Sequence, residues 1–118
     1  MDEILKQSLL YDFYGELLTK HQKEIYEQFI VEDLSLSEIA KDAGISRQGV
    51  HDLIKRCNKI LEEYEEKLHL VERFLSVKEK VHQINALLEE PSFDESHTDE
   101  GQLIQQIRKI SGEIIEEL

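Results

Sequence analysis

The 118-residue sequence has no tryptophan, one proline, one cysteine and only 7% aromatic residues. A single cysteine, Cys57, excludes an internal disulfide and makes a reducing compartment the simpler setting. Long β-branched runs and hairpin dipeptides such as Asn-Gly are missing, so nothing in the chain asks for a sheet. No apolar stretch reaches the ~20 residues that a membrane span requires. Residues 1–5 lack the basic flank and apolar core of a signal peptide, and a cytoplasmic protein is expected. The five histidines (His21, His51, His69, His82 and His97) are scattered, and none pairs with another histidine or a cysteine at zinc-ligand spacing. A glycine-rich phosphate loop is absent, as is any motif around a serine or cysteine nucleophile. No enzyme, cofactor or metal is therefore expected.

What is present is charge and helical periodicity. Hydrophobic residues make up 40% and charged residues 34%, enough for a modest core if each helix buries one face. The net charge is −12, which repels phosphate overall. It is unevenly placed: residues 1–59 carry net −3 and residues 60–118 net −9. A nucleic-acid site would have to be local and lie in the first half.

The spacing of Ile4, Leu5, Leu9, Leu10, Phe13, Tyr14, Leu17 and Leu18 predicts a first helix over 2–18. Thr19 with Gln22, and Ser35 with Glu38, are capping-box pairs that open a second and a third helix. Ile25, Tyr26, Phe29 and Ile30 point the second inward, and Ile39, Ala40 and Ala43 the third. Gly44 stops the third helix and Ser46 caps a fourth, whose buried side holds Val50, Leu53, Ile54 and Cys57. From Leu61 a heptad seam begins with Leu61, Tyr64, Leu68, Val71 and Leu75. It then shifts register through Phe74, Val77, Val81, Ile84 and Leu88. No strong breaker falls between 46 and 88, so the fourth helix is expected to run on into a long one, ended by Pro91. An acidic loop over 89–101 precedes a final amphipathic helix with Leu103, Ile107, Ile110, Ile114 and Leu118. The expected fold is all-α, with a helix-turn-helix domain over 1–60 and an acidic helical extension over 61–118.

The specific signal lies between Leu36 and Lys55. A helix-turn-helix needs a small residue at the helix contact, a turn residue that tolerates positive φ, and apolar anchors on the second helix. Ala40, Gly44 and Val50 with Leu53 fill these positions, and Ala43 and Ile45 complete the contacts. Ser46, Arg47, Gln48, His51, Asp52 and Lys55 are left facing outward. Arg47 suits a guanine edge or a phosphate and Gln48 suits adenine. Lys55, Arg56 and Lys59 suit backbone phosphates, and His51 a base or phosphate. Residues 47–59 hold four basic groups and one acidic, a local reversal of sign within an acidic chain. Gly49 offers no side chain to a base, and Asp52 sets a negative charge where phosphates would pass.

At Leu18-Thr19, at residues 33–40 (Asp-Leu-Ser-Leu-Ser-Glu-Ile-Ala) and at residues 44–50 (Gly-Ile-Ser-Arg-Gln-Gly-Val), the chain resembles the promoter-reading fourth region of bacterial sigma factors. Over Leu18 to Leu70 it is more similar to the YlxM-type helix-turn-helix proteins of Gram-positive bacteria. The markers are residues 46–50, Ile54-Lys55-Arg56 and residues 61–68. The resemblance implies a sigma-like, wingless helix-turn-helix with a regulatory role linked to the signal recognition particle pathway. It implies DNA as a partner or, alternatively, a protein or RNA component of that particle.

The seam has its own implication. A helix of roughly 40 residues at about 1.5 Å each is too long for one small core to cover. A homodimer through 61–88 and 103–118 is therefore expected, with Leu61, Tyr64, Leu68, Val71 and Leu75 at its interface. It would present two recognition helices together.

Overall fold

A computed structural model describes residues 2–89 and 99–117, and it is helical throughout its elements. Helices α1 (Glu3–Tyr14), α2 (Lys20–Ile30), α3 (Leu36–Ala43) and α4 (Arg47–Leu68) are followed by α5 (Leu70–Glu89) and α6 (Asp99–Glu117). There is no strand among the described residues, as the composition predicts. No described helix is long and apolar enough to cross a membrane.

The chain divides into two compact units, residues 1–71 and 72–118. In the first, α4 packs on α1, α2 and α3. Its core is Leu10, Tyr14, Leu18, Ile25, Tyr26, Ile39, Ala40, Val50, Ile54, Cys57, Leu61 and Val71, all buried. Helix α1 stops earlier than its apolar stripe suggests. Gly15–Leu17 form a 3₁₀ turn closed by Leu18 N–H to Gly15 O at 3.1 Å. The Tyr11 ring fills the space of a Gly15 side chain: an added Cβ would lie 2.7 Å from it, so a larger residue there would have to displace the ring. The stripe is also wider than the core, because Ile4, Leu5 and Leu17 remain exposed.

The uninterrupted helix expected over 46–88 is divided at His69, which adopts left-handed φ 56°. The reason lies far away in the chain. The Tyr14 hydroxyl donates to Glu65 Oε1 at 2.5 Å and accepts the Leu70 N–H at 3.1 Å, and Glu65 Oε1 accepts the Val71 N–H at 2.9 Å. These two side chains satisfy the first backbone donors of α5, which frees it to start a new helix there. Burial, with the Glu65 hydrogen bond behind it, raises the Tyr14 pKa and keeps the hydroxyl protonated.

The same packing consumes much of the expected dimer seam. Leu61 and Val71 are buried within their own unit, and Tyr64 stacks on Tyr14 with ring centroids 6.0 Å apart. Leu75 is half-buried, and Leu68, at 46%, is the one exposed member. Leu61 and Val71 have no surface left for a second copy, because the first unit needs them to close its core. The structural boundary accordingly falls after Val71, beyond the change in composition at 60–61.

In the second unit, Lys80 of α5 pairs with Glu117 at the end of α6. Gln83 and Leu87 line a groove with Gln106, Ile110 and Glu113. Moving forward along α5 thus moves backward along α6, and the two helices run antiparallel. Lys80, then Ser76, hold the Glu117 carboxyl below its ordinary range. Most of the loop expected over 89–101, and Pro91 within it, lies outside the described residues. Its ends are helical: α5 runs to Glu89, and α6 starts at Asp99. Leu118 also lies outside the described residues.

Candidate nucleic-acid interface

The turn between α3 and α4 is built from caps that the sequence announces. Ser35 Oγ accepts the Glu38 N–H at 3.1 Å while Glu38 Oε1 accepts the Ser35 N–H at 3.3 Å, which starts α3. Gly44 ends it at φ 71°, with Gly44 N–H and Ile45 N–H both reaching Ala40 O, at 3.0 and 3.1 Å. That is a Schellman-type closure, and it requires the left-handed residue that glycine supplies at least cost. Ser46 Oγ then accepts the Gly49 N–H at 2.9 Å and starts α4. Of the expected internal contacts, Ile39, Ala40 and Val50 are buried, Leu53 is half-buried, and Ala43 and Ile45 stay exposed.

Helix α4 buries Val50, Ile54, Cys57 and Leu61 along one side. At 100° per residue this turns Gln48, Asp52, Lys55 and Lys59 onto the opposite side as one stripe, flanked by Arg56 on one edge and His51 on the other, with Arg47 at the start of the helix. All seven of these side chains are exposed, as is Ser46. The structure therefore brings Gln48, His51, Lys55, Arg56 and Lys59 together on one accessible face, with Ser46 and Arg47 exposed at the N-terminal end of the helix.

They are not equivalent. Gln48 Nε2 donates to Asp52 Oδ1 at 3.0 Å, and His51 Nδ1 lies 3.5 Å from the same oxygen. Asp52 thus fixes which way the Gln48 amide points and lies beside His51. Arg47, Lys55, Arg56 and Lys59 have no ion-pair partner among the described residues. Beyond Lys59 the exposed side turns acidic with Glu62, Glu63 and Glu66, so the cationic footprint from Arg47 to Lys59 is about three helical turns long.

Two residues read differently in three dimensions. Gly49 is the third residue of α4, and a Cβ there would come within 3.1 Å of Ser46 Oγ, tighter than an ordinary contact. Its missing side chain serves the cap, whereas the sequence suggests only a lost base contact. Asn58 escaped the sequence reading. Its Oδ1 accepts the Tyr26 hydroxyl at 2.5 Å and ties α4 to α2 directly behind the cationic face. Only the pairing of a buried tyrosine with a polar residue could have signalled it. Next to Asn58, Cys57 is fully buried, and burial pushes its thiol up to about 11. It packs as a small apolar side chain, in keeping with its place in the pattern.

Comparison with known proteins agrees with this architecture. Residues 1–108 match the UPF0122 family model, described as "Putative helix-turn-helix protein, YlxM / p13 like". The UPF0122 protein of Acetivibrio thermocellus is 39% identical over 116 residues, 98% of this chain and 99% of the relative. That of Caldanaerobacter subterraneus subsp. tengcongensis is 49% identical over 83 residues, 70% of this chain and 71% of the relative. The relative from Shouchella clausii is 46% identical over 74 residues, 63% and 68% of the two chains. With a family match over nearly its whole length and the helix-turn-helix in place, this chain belongs to the UPF0122, YlxM / p13-like family.

Proposed function

We propose that this protein is a cytoplasmic regulator that binds DNA through the exposed face of α4, and that it acts in the signal recognition particle pathway. The observation carrying the first part is the cluster of Arg47, Lys55, Arg56 and Lys59, unpaired among the described residues, on the second helix of a helix-turn-helix in a chain of net charge −12. Cations kept out of ion pairs in so acidic a protein are available to displace counterions from phosphate. Arg47, at the start of α4, is placed to enter the major groove, and Lys55, Arg56 and Lys59 to follow the backbone. Gln48, oriented by Asp52, keeps its Oε1 and one N–H for the adenine edge. The pathway assignment rests on the resemblance to YlxM-type proteins. Neither part involves catalysis.

The test is DNA binding by fluorescence anisotropy across a salt series. Affinity should fall steeply with salt, and Lys55→Ala should weaken binding to all sequences and reduce the magnitude of the log–log slope by about 1. Asp52 and the acidic second unit favour a second reading, in which the same face meets a protein or RNA component of the particle. Undetectable DNA binding at low salt, with retained binding to such a component, would replace the first reading with the second.

A further inference from the structure

An acidic side chain stands at the crest of a face otherwise built of cations. Val50, Ile54, Cys57 and Leu61 are buried and fix the inward side of α4. At 100° per residue, the line directly opposite them passes within about 10° of Asp52 and about 30° of Gln48. Lys55 and Arg56 lie about 50° to either side of that line, and all four of these outer side chains are exposed. Lys59 returns to the crest about 10 Å further along the helix.

Asp52 does not neutralise its neighbours. Lys55 and Arg56 follow it by three and four residues, the spacing at which opposite charges on a helix ordinarily pair. Asp52 pairs with neither among the described residues. Its Oδ1 instead accepts a hydrogen bond from Gln48 Nε2 at 3.0 Å, and Oδ2 is left to water. A carboxylate has no proton to donate, so whatever meets Oδ2 in a complex has to be a donor.

The next step rests on the reading that α4 enters the major groove. With its crest towards the groove floor, α4 turns Lys55 and Arg56 to the two phosphate walls. Gln48 and Asp52, in the first two turns, then face base edges. On that floor guanine shows the acceptors N7 and O6, and thymine shows O4; the donors are the amino groups of cytosine N4 and adenine N6. Adenine sets its N7 acceptor beside that amino group, where it would repel a carboxylate, and cytosine does not. Asp52 stands one helical turn, about 6 Å, beyond Gln48, a distance of roughly two base-pair steps.

We infer that Asp52 is a specificity-determining residue, whose Oδ2 accepts the N4 amino group of a cytosine within about two steps of the base read by Gln48. Its charge acts in the other direction on every other sequence, since it meets a guanine or thymine acceptor, or phosphate alone, with repulsion. Asp52 thus restrains non-specific binding by the cations beside it.

The test is selection from a random duplex library by the wild type and by Asp52→Asn, followed by fluorescence anisotropy on the selected duplex and its single-base variants. The wild type should enrich a fixed cytosine near an adenine, and exchanging that cytosine for thymine should weaken its binding by a factor of roughly ten. Asp52→Asn carries both a donor and an acceptor, so it should bind the two duplexes within about twofold of each other. With its charge gone it should also bind the random pool several-fold more tightly, its CD spectrum unchanged. Gln48→Ala should keep the cytosine requirement, which separates the contact made by Asp52 from its hold on Gln48. A cytosine preference that survives Asp52→Asn overturns the inference and leaves DNA binding standing, as does a wild type that enriches no cytosine or a variant no tighter on the random pool. Absence of duplex binding by both proteins at low salt overturns the inference together with the reading of α4 on which it rests.

Discussion

The two units of this protein start from the same sequence material and end differently. Both consist of amphipathic helices with apolar residues three and four apart. All twelve buried apolar side chains nevertheless lie at or before Val71, and none lies in the described part of residues 72–118. The difference is the number of neighbours. Helix α4 meets three helices, so its apolar face is closed from several directions. Helices α5 and α6 have one another, and much of each apolar face remains in water. Periodicity makes a helix; burial needs a third body.

The sharpest way to break that comparison is to truncate one apolar side chain in each unit. Leu61→Ala should cost about 2–5 kcal/mol in urea denaturation, because it opens a cavity in a closed core. Val81→Ala, at a position 43% exposed, should cost under about 1 kcal/mol of protomer stability. Equal losses would mean that the second unit has a core after all.

Next in size is Tyr14→Phe. It removes the hydroxyl that accepts the Leu70 N–H and donates to Glu65, and should cost about 1–3 kcal/mol. The loss should appear as faster amide hydrogen exchange at Leu70 and Val71, with α2 and α3 unchanged.

A glycine in each unit gives a smaller contrast of opposite sign. Gly44→Ala forces a side chain into φ 71° and should destabilise the first unit by about 1 kcal/mol. Gly112 lies inside α6 with nothing within 4 Å of an added Cβ, so Gly112→Ala should raise helicity there by about 0.5–1 kcal/mol. Thermal melts followed by CD read both.

The smallest effect is one of pH. The folded pKa of Glu117 lies below its unfolded value, so the Lys80 pair stabilises the α5–α6 pairing above the ordinary carboxylate pKa of 4.5. That contribution fades as pH falls through the lower, folded value. Acid titration should loosen amides around Ser76 and Lys80 in the wild type, and Lys80→Met should flatten the response.

How much of this was legible follows the range of each interaction. The caps at Thr19, Ser35 and Ser46 and the stop at Gly44 are written in residues three to five apart, and all four hold. The outward face of α4 follows from the same local periodicity. The break at His69 was invisible because its causes, Tyr14 and Glu65, come from separate helices and act through a hydroxyl and a carboxylate. Leu61 and Val71 read as a seam because heptad spacing cannot say whether a partner helix comes from the same chain. The Asp52 tether on Gln48 lay within reach, four residues apart on one helix. The sequence reading treated Asp52 as a repulsive charge and not as a hydrogen-bond acceptor.

The buried thiol of Cys57 has a practical consequence. It is the chain's sole sulfhydryl, it has no solvent contact, and its pKa of about 11 keeps it a neutral thiol near pH 7. A thiol-reactive dye therefore cannot label the native molecule, and every labelled chain records a moment when α4 has lifted from its bed. Labelling kinetics turn this cysteine into a clock for the opening of the first unit, against which ligand protection at the other face of the same helix can be timed.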